Sequence, residues 1–152
     1  MRRRGWGLAG RLRLGLEHEA LLDMRIDELP TNDGGVVGVT LVRAAFDSDD
    51  RSVALSYFQG GFYFVVKDPG VKDGTVGFPV NVPSTPRWFH VALRTAFDGS
   101  FASLSFDGIQ VALSPKGVTS SAIGIVLVVG SVAAATTGMA RAAYDNVIVR
   151  PL

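Results

Sequence analysis

Apolar and polar positions alternate with a period of two along most of this chain. Leu22, Met24 and Ile26 fall on one side of an extended segment and Asp23, Arg25 and Asp27 on the other, the pattern of a strand with one buried and one wet face. A turn cluster at residues 30–35 (PTNDGG) leads to Val37, Val39 and Leu41, which point inward. Val53, Leu55 and Tyr57 alternate up to Gly60-Gly61, a pair able to take the positive φ angles of a tight hairpin, and residues 62–66 return. Val76, Phe78, Val80 and Val82 follow a second loop, and Pro79 confines their strand to an edge or a bulge. Phe89, Val91 and Leu93 alternate with Trp88, His90, Ala92 and Arg94. Ala102, Leu104 and Phe106 run into Asp107-Gly108, a type I′ turn signature, and Ile109, Val111 and Leu113 run back in register. Residues 123–132 and 143–149 complete the set. No i, i+3, i+4, i+7 pattern persists for three turns, so the spacing predicts about ten strands, no long helix and an all-β antiparallel sandwich or barrel.

Composition narrows this further. A chain of 152 residues is read as one domain, and 47% apolar against 19% charged residues, with 18 Gly and 7 Pro, excludes disorder and a charged coiled coil. The absence of Cys removes disulfides and thiol chemistry, and two histidines, His18 and His90, cannot make a three-His metal site. The net charge of +1 conceals an asymmetry: Arg2, Arg3, Arg4, Arg11 and Arg13 stand in the first 13 residues without an acid, leaving the remainder acidic. Residues 1–10 read as a basic, disordered extension and 11–152 as the domain. Leu12, Leu14 and Leu16 alternate like a strand already in progress, so the sandwich is expected to lack an N-terminal strand. Arg11 and Arg13 break the apolar stretch before it could serve as a signal peptide, and the compartment stays open. Five arginines with a single aromatic, Trp6, among them do not make the repeated aromatic–basic interleaving of a single-strand nucleic-acid reader. Residues 117–140 carry no charge, but six Ser and Thr residues and a β-branched composition favour a strand covered on both faces over a membrane-spanning helix.

The order Trp88-Phe89-His90-Val91-Ala92-Leu93, Leu104-Ser105-Phe106-Asp107-Gly108, a glycine-bearing strand at 124–130 and Tyr144-Asp145-Asn146-Val147-Ile148-Val149 resembles the second half of a laminin-G-like, concanavalin A-like jelly roll. The resemblance covers residues 12–151 in strand spacing and the last 65 or so in motifs. It implies two curved antiparallel sheets, a surface or secreted parent protein, and glycans or proteins met on the concave face or rim loops. Members include binding modules, adhesive spacers and glucanases, so the fold alone does not assign an activity.

Catalytic signatures find little support. Residues 5–10 match GxGxxG, but no strand precedes them and an alternating segment follows, so a phosphate-facing helix cannot form there. GxSxG, GxxxxGK[ST] and HExxH are absent. His18, between Glu17 and Glu19, reads as a surface residue. Laminarinase-like glucanases that share the fold carry Glu-x-Asp-x-x-Glu; here Asp23 and Asp27 share a face, Arg25 takes the central position and Glu28 points away. An arginine between two acids depresses their pKa values, which removes the raised-pKa proton donor that hydrolysis needs. Asp47, Asp49 and Asp50 form an acidic loop, either a solvated hairpin tip or part of a rim calcium site, although Arg51 falls where a further ligand should be. Asp145 shares parity with Val147 and Val149, so it is expected to be a buried carboxylate held by backbone N–H groups or an arginine.

Two function classes remain, with a glucanase a distant third. The first is a non-catalytic carbohydrate- or ligand-binding module without a cofactor, using Trp88, His90 and Arg94 on the polar side of one strand, with Arg25 and Asp27 as neighbours. The second is a structural or adhesive module in which Trp88 packs under a loop. Solvent exposure of Trp88 separates them.

Overall fold

Alternation becomes extended structure wherever it is strongest. In β1 (Glu17–Glu28), Ala20, Leu22, Met24 and Ile26 are buried while Asp23, Arg25 and Asp27 face outward. β2 (Gly38–Phe46), β3 (Arg51–Phe58), β4 (Gly61–Lys67), β5 (Thr75–Val80), β6 (Phe89–Ala96), β7 (Ala102–Phe106), β8 (Ile109–Ser114), β9 (Ile125–Ala134) and β10 (Arg141–Pro151) follow. These elements belong to a computed structural model that describes residues 17–30, 38–46, 51–68, 74–96, 98–118, 125–134 and 140–152.

The strands form two five-stranded sheets, ordered β10-β1-β6-β7-β8 and β5-β4-β3-β2-β9, with every pair antiparallel. Tight hairpins join β3 to β4 and β7 to β8, whereas β1 finds β6 and β10, and β2 finds β9, only across long stretches of chain. The protein is an all-β jelly-roll sandwich. Its core lies between the sheets, where Phe46, Phe64 and Phe89 are the largest fully buried side chains, each worth roughly 1.5–3 kcal/mol in apolar surface removed from water. Phe89 meets Phe106 edge to face at 5.5 Å, and Phe64 meets Phe78 at 6.2 Å.

Several local expectations hold and others are shifted by one residue. Asp107 and Gly108 have φ of 50° and 80°, the expected type I′ turn. Pro79 lies in β5, an edge strand, where a missing N–H is tolerated. The β3–β4 turn is Gln59-Gly60, with φ of 48° and 82°, instead of Gly60-Gly61. This register sets Tyr57 opposite Phe62, ring centroids 5.1 Å apart, and keeps Gln59 off the inward face. The uncharged segment does contain a strand, β9, which pairs with β2 at the end of the strand order of its sheet. No helix among the described residues is long and apolar enough to cross a membrane.

Bulges account for the largest departures from simple parity. A register shift between Leu104 and Ser105 turns Ala112 inward opposite Leu104 and leaves Val111 and Leu113 exposed, while Ile109, at the hairpin end, is 70% exposed. A second shift, in β2 between Thr40 and Val42, interrupts both of that strand's ladders at Leu41. The Leu41 carbonyl accepts the Tyr144 hydroxyl at 2.7 Å, so a side chain from the opposite sheet satisfies a backbone group at the bulge.

Asp145 is not the buried carboxylate its parity implied. β10 pairs with β1 at the edge of its sheet, and a bulge at Asn146 (φ 50°) breaks the register between Leu21 and Asp23. Asp145, Val147 and Val149 are all exposed, and the Asp145 carboxylate accepts the Asn146 N–H at 2.8 Å. His18 departs the other way. It continues the inward row of Ala20 and Leu22, is only 7% exposed, and burial lowers its pKa.

Candidate functional site

The polar row on β6 lies on the outer face of the first sheet. Phe89, Val91 and Leu93 fill the core from the other side, so the alternation that buries them turns His90 and Arg94 outward. Trp88 immediately precedes the strand and is 43% exposed. Because Met24 pairs with Phe89, Arg25 arrives next to Trp88, and its guanidinium carbon lies 5.2 Å from the ring centroid, within cation–π range. Asp27, one strand step further on, accepts hydrogen bonds from Arg25 Nε at 2.7 Å and Nη2 at 3.2 Å. Those bonds raise the Arg25 pKa and fix the guanidinium in place.

His90 is engaged differently. It pairs with Asp23 across the β1–β6 ladder, and the Asp23 carboxylate lies 3.0 Å from its Nδ1, favouring the tautomer that carries its proton there. The other Asp23 oxygen accepts Asn146 Nδ2 at 2.6 Å, so the β10 bulge delivers an amide to this cluster. The His90 backbone N–H donates to Asp107 at 2.9 Å, and Arg87 Nη2 donates to the same carboxylate at 2.8 Å. The turn residue Asp107 thereby ties the β7–β8 hairpin to the start of β6.

Trp88, Arg25 and Asp27 come together with His90 beside them, but Arg94 does not join. Six residues of extended chain place it about 20 Å from Trp88, where it lies 3.9 Å from both Glu17 and Glu19, and Arg150 binds Glu19 at 2.8 Å. Asp145, predicted as a separate structural residue, pairs with Asp23 across the β1–β10 ladder and so lies at the margin of the cluster. Asp47, Asp49 and Asp50, the calcium candidates, and the basic residues at the start of the chain lie outside the described residues.

Sequence reasoning missed the roles of Asp23, Arg87, Asp107 and Asn146. Asp107 was legible as a turn former, yet its bond to the His90 N–H depends on a long-range register. A second aromatic surface was missed as well. On the outer face of the second sheet, the Tyr63 ring lies over Gly61, where an added Cβ would meet it at 3.3 Å, and Phe58 lies beside Gly38 at 3.4 Å. Strand glycines under aromatic residues were the available signal.

Two carboxylates here are held below their ordinary pKa. Asp23 is lowered by the hydrogen bonds from Asn146 and then His90, and Asp107 by the His90 backbone N–H and then Arg87. The neighbours that lower Asp23 are therefore not the Arg25 expected from the sequence. A carboxylate with a depressed folded-state pKa stabilises the fold fully above its unfolded pKa of about 3.9, and that contribution is lost as the pH falls through the lower folded value. The denaturation midpoint should accordingly decline below about pH 4. In Asp107→Asn that acid decline should be shallower; equal slopes for both proteins would show that Asp107 carries none of it.

No protein-family model matches the sequence, and no curated protein matches it either. Solved structures do match in fold. Alginate lyase A1-II′, a member of polysaccharide lyase family 7, is 14% identical with a TM-score of 0.62, over 91% of this chain and 63% of that one. The family 7 alginate lyase AlyA1 from Zobellia galactanivorans is 14% identical with a TM-score of 0.61, over 90% of this chain and 62% of that one. The sialidase of Trypanosoma rangeli is 19% identical with a TM-score of 0.60, over 91% of this chain but 21% of that one. The chain therefore spans under two thirds of each of these proteins. At such identities the likeness establishes the jelly-roll β-sandwich fold alone.

Proposed function

We propose that this protein is a non-catalytic carbohydrate-binding module, laminin-G-like in kind, of a surface or secreted protein, with its site centred on Trp88. The observation that carries this reading is the exposure of Trp88, 43%, beside a guanidinium locked in place by Asp27. Sugar rings present C–H faces that stack on aromatic rings and a rim of hydroxyls that seek planar donors and acceptors. Trp88, Arg25, Asp27 and His90 supply both on one rigid sheet face. The polysaccharide lyase and sialidase folds that resemble this chain support a glycan as ligand. Binding without hydrolysis is favoured because Arg25 occupies the middle of the would-be carboxylate row and Asp23 is held ionised, leaving it unsuited to donate a proton.

A glycan array probed with wild type and Trp88→Ala tests this. Wild type should bind at least one glycan class, and the variant should lose roughly tenfold or more in affinity, as for a central aromatic contact. Equal binding by both proteins, or none to any glycan, would overturn the site. Loss in Tyr63→Ala instead would move it to the other sheet. The second reading, an adhesive module, is favoured by the exposed apolar edge strands: Ile109, Val111 and Leu113 on β8, and Val147, Ile148 and Val149 on β10.

A further inference from the structure

The geometry points to a neutral glycan, not a uronate- or sialate-bearing one, as the ligand of the Trp88 face; this rests on the carbohydrate-binding reading above. Among the described residues, three groups able to carry positive charge surround Trp88 in sequence and register, and each already holds a carboxylate of this chain. Arg25 is bound in bidentate fashion by Asp27, at 2.7 and 3.2 Å. Arg87, which also reaches the Trp88 carbonyl at 3.3 Å, is bound by Asp107 at 2.8 Å. His90 faces Asp23 at 3.0 Å, and a further exposed acid, Asp145, stands across the ladder from Asp23.

A sugar carboxylate arriving here would either displace one of these acids from its cation or share that cation's remaining N–H donors with it. Exchange leaves an unpaired Asp beside the incoming anion and sharing sets two carboxylates on one cation, so Coulomb repulsion opposes both. A neutral sugar needs no such exchange. Carboxylates engaged by a guanidinium, as Asp27 and Asp107 are, or by an imidazole and an amide, as Asp23 is, keep lone pairs free to accept hydroxyl protons, so all three serve as acceptors around a stacking ring. The lyases that share the fold are named for alginate, an anionic polymer, so the charge pairing separates this face from the ligand their likeness alone would suggest.

Affinity electrophoresis at low ionic strength distinguishes the outcomes. Wild type, Trp88→Ala, Trp88→Phe and Asp27→Asn would be run through gels containing a neutral β-glucan, a neutral mannan, alginate or polysialic acid. The expected result is retardation of wild type and Trp88→Phe by a neutral polymer, its loss in Trp88→Ala, and little retardation by either anionic polymer. Asp27→Asn, which releases the Arg25 charge, should gain retardation by alginate. Trp88-dependent retardation by an anionic polymer stronger than by any neutral one would overturn the neutral assignment and leave the site standing. Retardation that ignores Trp88→Ala, or none in any gel, would overturn the site and this inference together.

Discussion

Phe89→Ala should destabilise the protein by about 3–5 kcal/mol, the cost of a large-to-small change in a closely packed interior. Phe89 is among the largest fully buried side chains, pairs across the ladder with Met24, and sets its ring edge to face against Phe106 at 5.5 Å. Truncation removes the apolar surface, the aromatic pair and the support of the strand that presents His90, so the glycan binding proposed for this face should weaken as well. Phe89→Leu keeps most of the volume and should cost less than about 1.5 kcal/mol. Ile109→Ala, at a residue 70% exposed, should stay within about 0.5 kcal/mol of wild type. Urea denaturation midpoints of the three variants check the order; a Phe89→Ala midpoint close to wild type would show a core that collapses around the cavity.

Gly117→Ala should be costly for a different reason. A Cβ at this position would lie 2.3 Å from the Phe101 carbonyl oxygen and 3.1 Å from that of Ala96, and those atoms are backbone held in a tight turn. Ala96 N–H donates to Phe101 at 3.1 Å, Gly99 N–H to Ala96 at 3.2 Å, and Gly117 N–H to Gly99 at 2.9 Å. The clash cannot be relieved by rotating a side chain, so either the turn or the crossing segment must move, and Val118, fully buried next to it, must move too. A loss of about 3 kcal/mol, the upper end of ordinary overpacking, is expected. Thermal unfolding would register it as a lower midpoint; an unchanged midpoint would mean that the crossing segment shifts freely.

The fold was legible because its determinants are local. Period-two alternation placed Leu22, Met24 and Ile26 inside, and Asp107-Gly108 announced its hairpin, since a strand's facing and a type I′ turn depend on neighbours a few residues apart. The outward placement of Arg25, Asp27, His90 and Arg94 followed from the same arithmetic. What parity alone could not show was where the ladder slips. Bulges in β2, β8 and β10 each displace the pattern by one residue, exposing Asp145 and Val111 and giving the Leu41 carbonyl to Tyr144. They arise because long-range pairing and inter-sheet packing override local alternation.

The site divides along the same line. Trp88, His90, Arg25 and Asp27 were visible in the sequence as residue types on polar faces, but β1 and β6 stand more than sixty residues apart in the chain. Only their antiparallel register sets Arg25 over Trp88 and Asp23 against His90. That register, with Asp107 and Asn146 brought in from a turn and a bulge, decided which charges pair, because the distance between two side chains on different strands is a property of the folded sheet.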